Sequence, residues 1–203
     1  MSTVGQIERD TQNRIVALFE QQLKYRYLGN LEKEEDNTNV DEALLTAFLT
    51  KKGYNSVLIT KALVAFKKAT TINTSDDLYQ ANKNVYSLLR YGIQIKEEAG
   101  HNKETVYLID WKNPLENDFA IAEEVTIKGV HNKRPDIVIY INGIALCVLE
   151  LKRSTVSVSE GIRQNNDNQK HIFIKPFYTT IQLIMAGQNV EGLRYAAIDT
   201  QFI

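Results

Sequence analysis

The chain has 203 residues, 43% of them hydrophobic and 24% charged, with a formal net charge of -1 at pH 7. That length supports one substantial core, and a charge so near zero says nothing for or against nucleic acid, so any such surface must be local. A single cysteine, Cys147, excludes a disulfide framework and lies in an apolar stretch where it serves as a small buried hydrophobe.

The N-terminus, MSTVGQIERDTQNR, has no apolar signal core and is not the Arg-rich, acid-poor type of a transit peptide, and no run approaches about 18 consecutive apolar residues. The expectation is a cytoplasmic protein, neither secreted nor membrane-spanning.

In chain order, residues 11–28 (TQNRIVALFEQQLKYRYL) read as a helix, or as a helix that leads into a strand, and 29–39 (GNLEKEEDNTN) as a surface loop. Residues 40–53 carry apolar side chains at helical spacing, acids in the first turn, and Lys51, Lys52 and Gly53 at the far end; Asn39 is the expected N-cap. A second helix is expected over 57–69 and a third over 78–92, stopped by Gly92, with the polar stretch TTINTSDD between them. In these segments Tyr86 and Tyr91 are expected in the core, as is Trp111 further on. The first 92 residues are thus mainly helical.

From residue 93 the texture becomes that of strands: IQIKEE, ETVYLIDW, DFAIAEEVTIKG, DIVIYI and IALCVLELKR are rich in β-branched and aromatic residues, and clusters such as AGHNK and KNPLEND separate them. Residues 158–173 form a weaker helix, and TIQLIMAG with LRYAAI a closing strand pair. This order implies an α/β fold on a mixed sheet, divided into a helical region over 1–92 and a core over 93–203.

The chemistry concentrates in RPDIVIYINGIALCVLELKRS, residues 134–154. Glu150 and Lys152 are two apart, so on a strand they share one face while Leu149 and Leu151 take the other. Charges at a largely buried strand end are costly unless they pair or bind something. Glu150 could hold Mg²⁺ with a second acid, and Lys152 could orient a water or stabilise charge on a phosphate. Asp136 is the obvious second acid, yet a plain two-residue turn at Asn142-Gly143 pairs it with Leu149 and puts it on the wrong face. Only a three-residue loop or one β-bulge brings Asp136 to the face of Glu150. The bland alternative is an ion pair between Glu150 and Lys152 at a sheet end. The three histidines, His101, His131 and His171, have no metal-ligand spacing and read as loop or surface residues.

These residues resemble the PD-(D/E)xK nuclease motif, and the blocks NVYSLLRYGIQI, VYLIDWKNPLENDFAIAEEVTIKG, RPDIVIYINGIALCVLELKRS, GIRQNNDNQK and TIQLIMAG with EGLRYAAI resemble the N-terminal nuclease domain of the R subunit of type I restriction enzymes, over roughly residues 9–203. The resemblance implies a restriction-endonuclease-like core in which Asp136 and Glu150 ligate Mg²⁺ with the Leu151 main-chain carbonyl. Lys152 would position the attacking water. Family members place a glutamine in the next helix within a Q-xxx-Y pattern; Gln164 matches, but position 168 is Asn. A further acid from an early helix often completes such sites, and Glu42 is the candidate, although a first-turn acid is also favoured by the helix dipole. Arg163, Lys170 and Lys175, with the HNKR stretch at 131–134, are candidates for a DNA backbone groove.

The implied function is Mg²⁺-dependent, sequence-non-specific hydrolysis of duplex DNA, in a complex with methylase and specificity subunits, after ATP-driven translocation by other domains. No G-xxxx-GK-[ST] loop occurs in this chain, which ends at IDTQFI where the family would continue toward its motor; ATP would be used by the longer subunit, and the isolated piece would be weakly active or inactive. A catalytically silent coupling module of the same complex is the alternative from another class, and a nuclease-fold DNA repair enzyme is a third.

Overall fold

The computed structural model describes residues 3–73, 76–98, 100 and 102–198. His101, residues 199–203 of the terminal stretch, and parts of TTINTSDD and AGHNK lie outside them. The elements in order are α1 (Thr3–Ala17) with a π turn (Leu18–Gln22), β1 (Arg26–Asn30), α2 (Glu42–Lys51), α3 (Ser56–Thr70), α4 (Leu78–Tyr91), β2 (Ile93–Lys96), β3 (Lys103–Val106), β4 (Phe119–Glu123), β5 (Ile137–Ile141), β6 (Ile144–Leu151), α5 (Val158–Asn168), β7 (Leu183–Gln188) and β8 (Gly192–Ala196). Short 3₁₀ turns cover Pro114–Glu116 and Lys175–Thr179.

Capping chemistry sets the helix starts. Asp41, Asn55 and Asp77 each accept a hydrogen bond from a main-chain N–H of the first turn. The cap of α2 is therefore Asp41 rather than Asn39, whose side chain is drawn away by Pro176 O and Thr179 Oγ1. Gly92, at φ +77, ends α4 as expected.

Six strands form one sheet in the order β1-β4-β5-β6-β7-β8, and β2 and β3 form a separate pair. The large sheet is mixed: β1 runs parallel to β4 and β6 parallel to β7, while the other neighbours are antiparallel. Residues Arg26–Asn30, within the mainly helical first part of the chain, thus form an edge strand of this sheet.

Both faces of the sheet are covered. On one, Ile121, Ile137, Ile139, Cys147, Leu149 and Leu151 pack against Ile15, Val16 and Phe19 of α1 and its π turn. On the other, Ala122, Val138, Tyr140 and Val148 pack against Ile174, Phe177, Tyr178 and Ile181. A third cluster gathers α2, α3, α4 and the β2–β3 pair, meeting the large sheet at Ile144. Cys147 is buried with a free thiol that burial pushes up to about 12, as suits a small hydrophobe.

Three aromatic residues expected inside are outside. Tyr86 and Tyr91 are 47% and 68% exposed because the buried face of α4 is Leu78, Asn82, Val85 and Leu89. Trp111, 48% exposed, donates its indole N–H to Leu89 O at 2.8 Å and lies under the Arg90 guanidinium, so its ring covers the end of α4 from the surface. No helix among the described residues is long and apolar enough to cross a membrane.

Candidate active site

The hairpin β5–β6 is joined by Asn142 and Gly143 alone, at φ +54 and +81, the left-handed pair of a tight two-residue turn. Ile141 pairs with Ile144 and Tyr140 with Ala145, but Ile139 then pairs with Cys147 and Ile137 with Leu149. Leu146 is the residue left over. This β-bulge restores the parity that the turn alone would break, so the next step along the ladder sets Asp136 opposite Glu150.

Glu150 is fully buried on the same sheet face as Val148. Its Oε2 accepts a hydrogen bond from Gln164 Nε2 at 2.6 Å and lies 3.8 Å from Lys152 Nζ; its Oε1 receives no hydrogen bond. Burial holds this carboxyl well above the ordinary range, the Asp136 charge adds to the rise, and Lys152 opposes it. Asp136 accepts a hydrogen bond from Leu151 N at 2.6 Å, and Lys152 Nζ donates to Leu151 O at 3.0 Å. The chain ends of β5 and β6 are thereby locked to each other at the site.

Helix α5 lies directly above, because Gly161 has no side chain: a Cβ there would stand 3.0 Å from Ala186 Cβ and 3.6 Å from both Glu150 Cβ and Lys152 Cγ. Gln164, one turn later, then points down to Glu150. Position 168 holds a fully buried Asn, and the hydroxyl under this helix is that of Tyr178, which donates to Asn165 Oδ1 at 3.2 Å. Burial and then the Glu150 charge raise the Tyr178 phenol.

Asp136, Lys152 and Gln164 line an open cleft of about 440 Å³ with Glu124, Thr126, Asn132, Lys133 and Arg134. Of the other expected residues, Glu42, Arg163, Lys170 and Lys175 are elsewhere. Glu42 is at the first turn of α2 and pairs with Lys67 at 2.9 Å. The preceding Asp41 N–H bonds Gly143 O at 2.7 Å, which fixes α2 at the turn end of the hairpin. Glu150 lies seven strand residues away, roughly 23 Å at about 3.3 Å per residue, so Glu42 cannot join the acids. Arg163 faces solvent on α5, paired with Glu160 and with Asp167, and Lys170 pairs with Asp167 at 2.6 Å. Lys175 donates to Asp76 O at the start of α4. Of the HNKR stretch, Lys133 sits 4.0 Å from the centre of the Phe173 ring, and His131 packs beside the same ring.

Sequence reasoning missed Glu124, Gly161 and Tyr178. Glu124 had a signal: in FAIAEEV two adjacent acids cannot share one strand face. Glu123 indeed faces α1, and Arg9 and Gln12 of that helix with Tyr27 and Asn30 of β1 all donate to its carboxylate, while Glu124 turns into the cleft at φ +52.

Among the described residues no three His, Cys, Asp or Glu side chains converge closely enough to hold a metal ion by themselves. Two carboxylates and a main-chain carbonyl nevertheless suit Mg²⁺, which takes few protein ligands and completes its shell with water and phosphate oxygens. The unsatisfied Glu150 Oε1 beside Asp136 is the observation that fits such an ion.

Residues 5–201 match the family described as type I restriction enzyme R protein N terminus. Among curated relatives, the chain is 26% identical over 136 residues to the putative type I restriction enzyme MjaIXP endonuclease subunit of Methanocaldococcus jannaschii, covering 64% of this chain and 13% of that one. It is 33% identical over 70 residues to the EcoprrI endonuclease subunit of Escherichia coli (34% and 22%), and 31% identical over 102 residues to the HindI endonuclease subunit of Haemophilus influenzae (48% and 10%). The chain therefore spans less than a quarter of these relatives' length, and with its family match extending over nearly all of its residues it belongs to the N-terminal part of the type I restriction enzyme R proteins.

Proposed function

We propose that this chain is the DNA-cleaving module of a type I restriction enzyme, a Mg²⁺-dependent endonuclease of PD-(D/E)xK type that hydrolyses phosphodiester bonds of duplex DNA without reading sequence at the cut. The observation that carries this reading is the register of the hairpin, in which a bulge at Leu146 sets Asp136 opposite Glu150, with Lys152 beside them and one buried carboxylate oxygen unsatisfied.

Asp136, Glu150 and the Leu151 carbonyl are the groups to hold the ion, which when bound would place Lewis-acid charge on the scissile phosphate and acidify its water. Gln164 fixes the orientation of Glu150 through Oε2. Lys152, anchored on the Leu151 carbonyl, keeps an ammonium at the edge of the acids, where it aligns the attacking water and meets the charge that grows on the phosphate. Asn132, Lys133 and Arg134 border the cleft where the DNA backbone would pass. The endonuclease-subunit names of the relatives support this reading, as does the cleft's mixture of acids and cations. ATP use, translocation and target recognition belong in this reading to the remainder of the R subunit and to methylase and specificity subunits, within the cytoplasm.

The test is plasmid nicking by the full-length subunit in its restriction complex with Mg²⁺. Asp136→Ala and Lys152→Ala are each expected to lower cleavage by at least about a hundredfold while ATP hydrolysis persists. Cleavage that survives both substitutions overturns the assignment. If, in addition, calorimetry finds no Mn²⁺ binding that depends on Glu150, a silent coupling module is the better description.

A further inference from the structure

Glu124 has three unusual properties together. It is a non-glycine residue at φ +52, a conformation that costs an L side chain of order 1 kcal/mol or more and persists only where the surroundings demand it. Its N–H donates to Asp136 O at 2.9 Å, which ties the end of β4 to the residue that bears the first acid of the site. Its carboxylate, only 15% exposed, lines the same cleft as Asp136, Lys152 and Gln164 and holds Arg134 Nε at 2.8 Å, with Arg9 NH1 further off at 3.6 Å.

Arg134 is gripped from two sides. Nε is held by Glu124 and NH1 by Glu32, while NH2 has no partner among the described residues. A guanidinium fixed in this way is preorganised: the rotamer freedom of a long side chain is already restricted, and one amino group stays available for an anion. Lys133 beside it is spent on the Phe173 ring, and Arg163 and Lys170 are paired on the outer side of α5. Arg134, two residues before Asp136, is thus a second cleft cation held in a defined orientation, beside Lys152 on its Leu151 carbonyl.

We propose that Glu124 is a positioning residue that orients Arg134 as the clamp for a backbone phosphate flanking the scissile one, its left-handed backbone turning the carboxylate out of the strand and into the cleft. This rests on the reading of the cleft as a DNA-cleavage site. It adds to that reading a phosphate subsite and the residue that builds it. Glu124 acts through Arg134, not by ligating the metal.

The test is binding of a short duplex of arbitrary sequence to the 203-residue chain, with Ca²⁺ to prevent turnover, across a salt series. Glu124→Asn is the informative truncation because Asn accepts the left-handed backbone yet is too short to reach Arg134; Glu124→Gly is a second truncation suited to that backbone. Arg134→Ala and either truncation should each weaken duplex binding about tenfold and flatten the dependence of log K on log salt by about one unit, as expected for one lost phosphate contact. The double variant should bind no more weakly than Arg134→Ala, since both changes remove the same contact. Glu124→Gln, which keeps a carbonyl oxygen for Nε, should stay within about twofold of the unmodified chain, and Mn²⁺ affinity should not change in any variant.

Truncations that bind DNA like the unmodified chain, or losses that multiply in the double variant, overturn the proposal while leaving the cleavage site in place. So does a loss of Mn²⁺ affinity in Glu124→Asn that Arg134→Ala does not share, which would make Glu124 a metal ligand. An unmodified chain that binds no duplex at any salt brings down the DNA-cleavage reading, and the phosphate subsite with it.

Discussion

Glu150 has its carboxyl inside the sheet, with burial and the Asp136 charge both favouring its protonated form. A carboxyl raised in the folded state keeps a proton that the unfolded chain, at about 4.3, has already released. The unfolded state then binds fewer protons, so stability falls as pH climbs from the unfolded value through the folded one. In EDTA, the melting temperature of the protein should therefore decline between pH 5 and pH 8 relative to Glu150→Gln, which carries no charge to bury. Divalent cations should reverse the decline in the parent and not in the variant. Parallel melting curves for the two proteins across that range would show that Glu150 is not held protonated.

At the scale of elements, the hairpin turn is as constrained as the acids it aligns. Gly143 lies at φ +81, and a Cβ there would come within 2.6 Å of Asp41 O and 2.9 Å of Leu45 N, main-chain atoms of the α2 N-terminus that cannot swing aside. Gly143→Ala combines a left-handed penalty with overpacking and should cost about 2 to 4 kcal/mol in urea unfolding. A loss below about 1 kcal/mol would mean that α2 can retreat from the turn. The neighbouring Asn142 is fully buried and donates to Leu108 O and Asn117 Oδ1 while accepting from Asp118 N, so the loop before β4 is fastened to the same turn. Much of what Asn-Gly does here is anchoring by side-chain amide and close backbone approach, in addition to reversing the chain.

At the scale of the whole molecule, α1 closes the sheet face opposite the cleft, and Cys147 lies beneath it with Ile15, Val16 and Phe19 packed on the same cluster. With its thiol pushed up to about 12 by burial, Cys147 should be unreactive toward a thiol reagent at pH 8 in the native protein. Labelling should then track undocking of α1, and Glu123→Ala, which removes the acceptor shared by Arg9 and Gln12, should speed it several-fold. Equal labelling rates in parent and variant would show that the contacts to Glu123 do not hold α1 in place.

Helix α4 was legible to within a residue because its start, periodicity and Gly92 stop all lie within one local stretch, and the β5–β6 hairpin for the same reason. Parity along a strand put Glu150 and Lys152 on one face, and the requirement for an irregularity in the hairpin followed from counting alone. Where that irregularity lies was not legible: the turn kept its two residues and Leu146 became the bulge. Asn39 lost the capping role to Asp41, Trp111 went to the surface, and Glu42 went to the far end of the hairpin, each placed by contacts with a distant segment, while Tyr86 is outside because the buried stripe of its own helix runs through Val85 and Leu89.

The sequence by itself determined α2 to α4, the β5–β6 hairpin, the shared face of Glu150 and Lys152 and the family, since these depend on local periodicity and on residue types at fixed spacing, whereas the strands expected over 104–111 and 118–129 shrink to Lys103–Val106 and Phe119–Glu123. Only the tertiary structure decided that Glu124 and Arg134 border the same cleft, that Gly161 lets Gln164 descend onto Glu150, and that Arg163 points away. Side-chain partners across strands and helices are fixed by packing between segments far apart in the chain, and no local pattern encodes that distance.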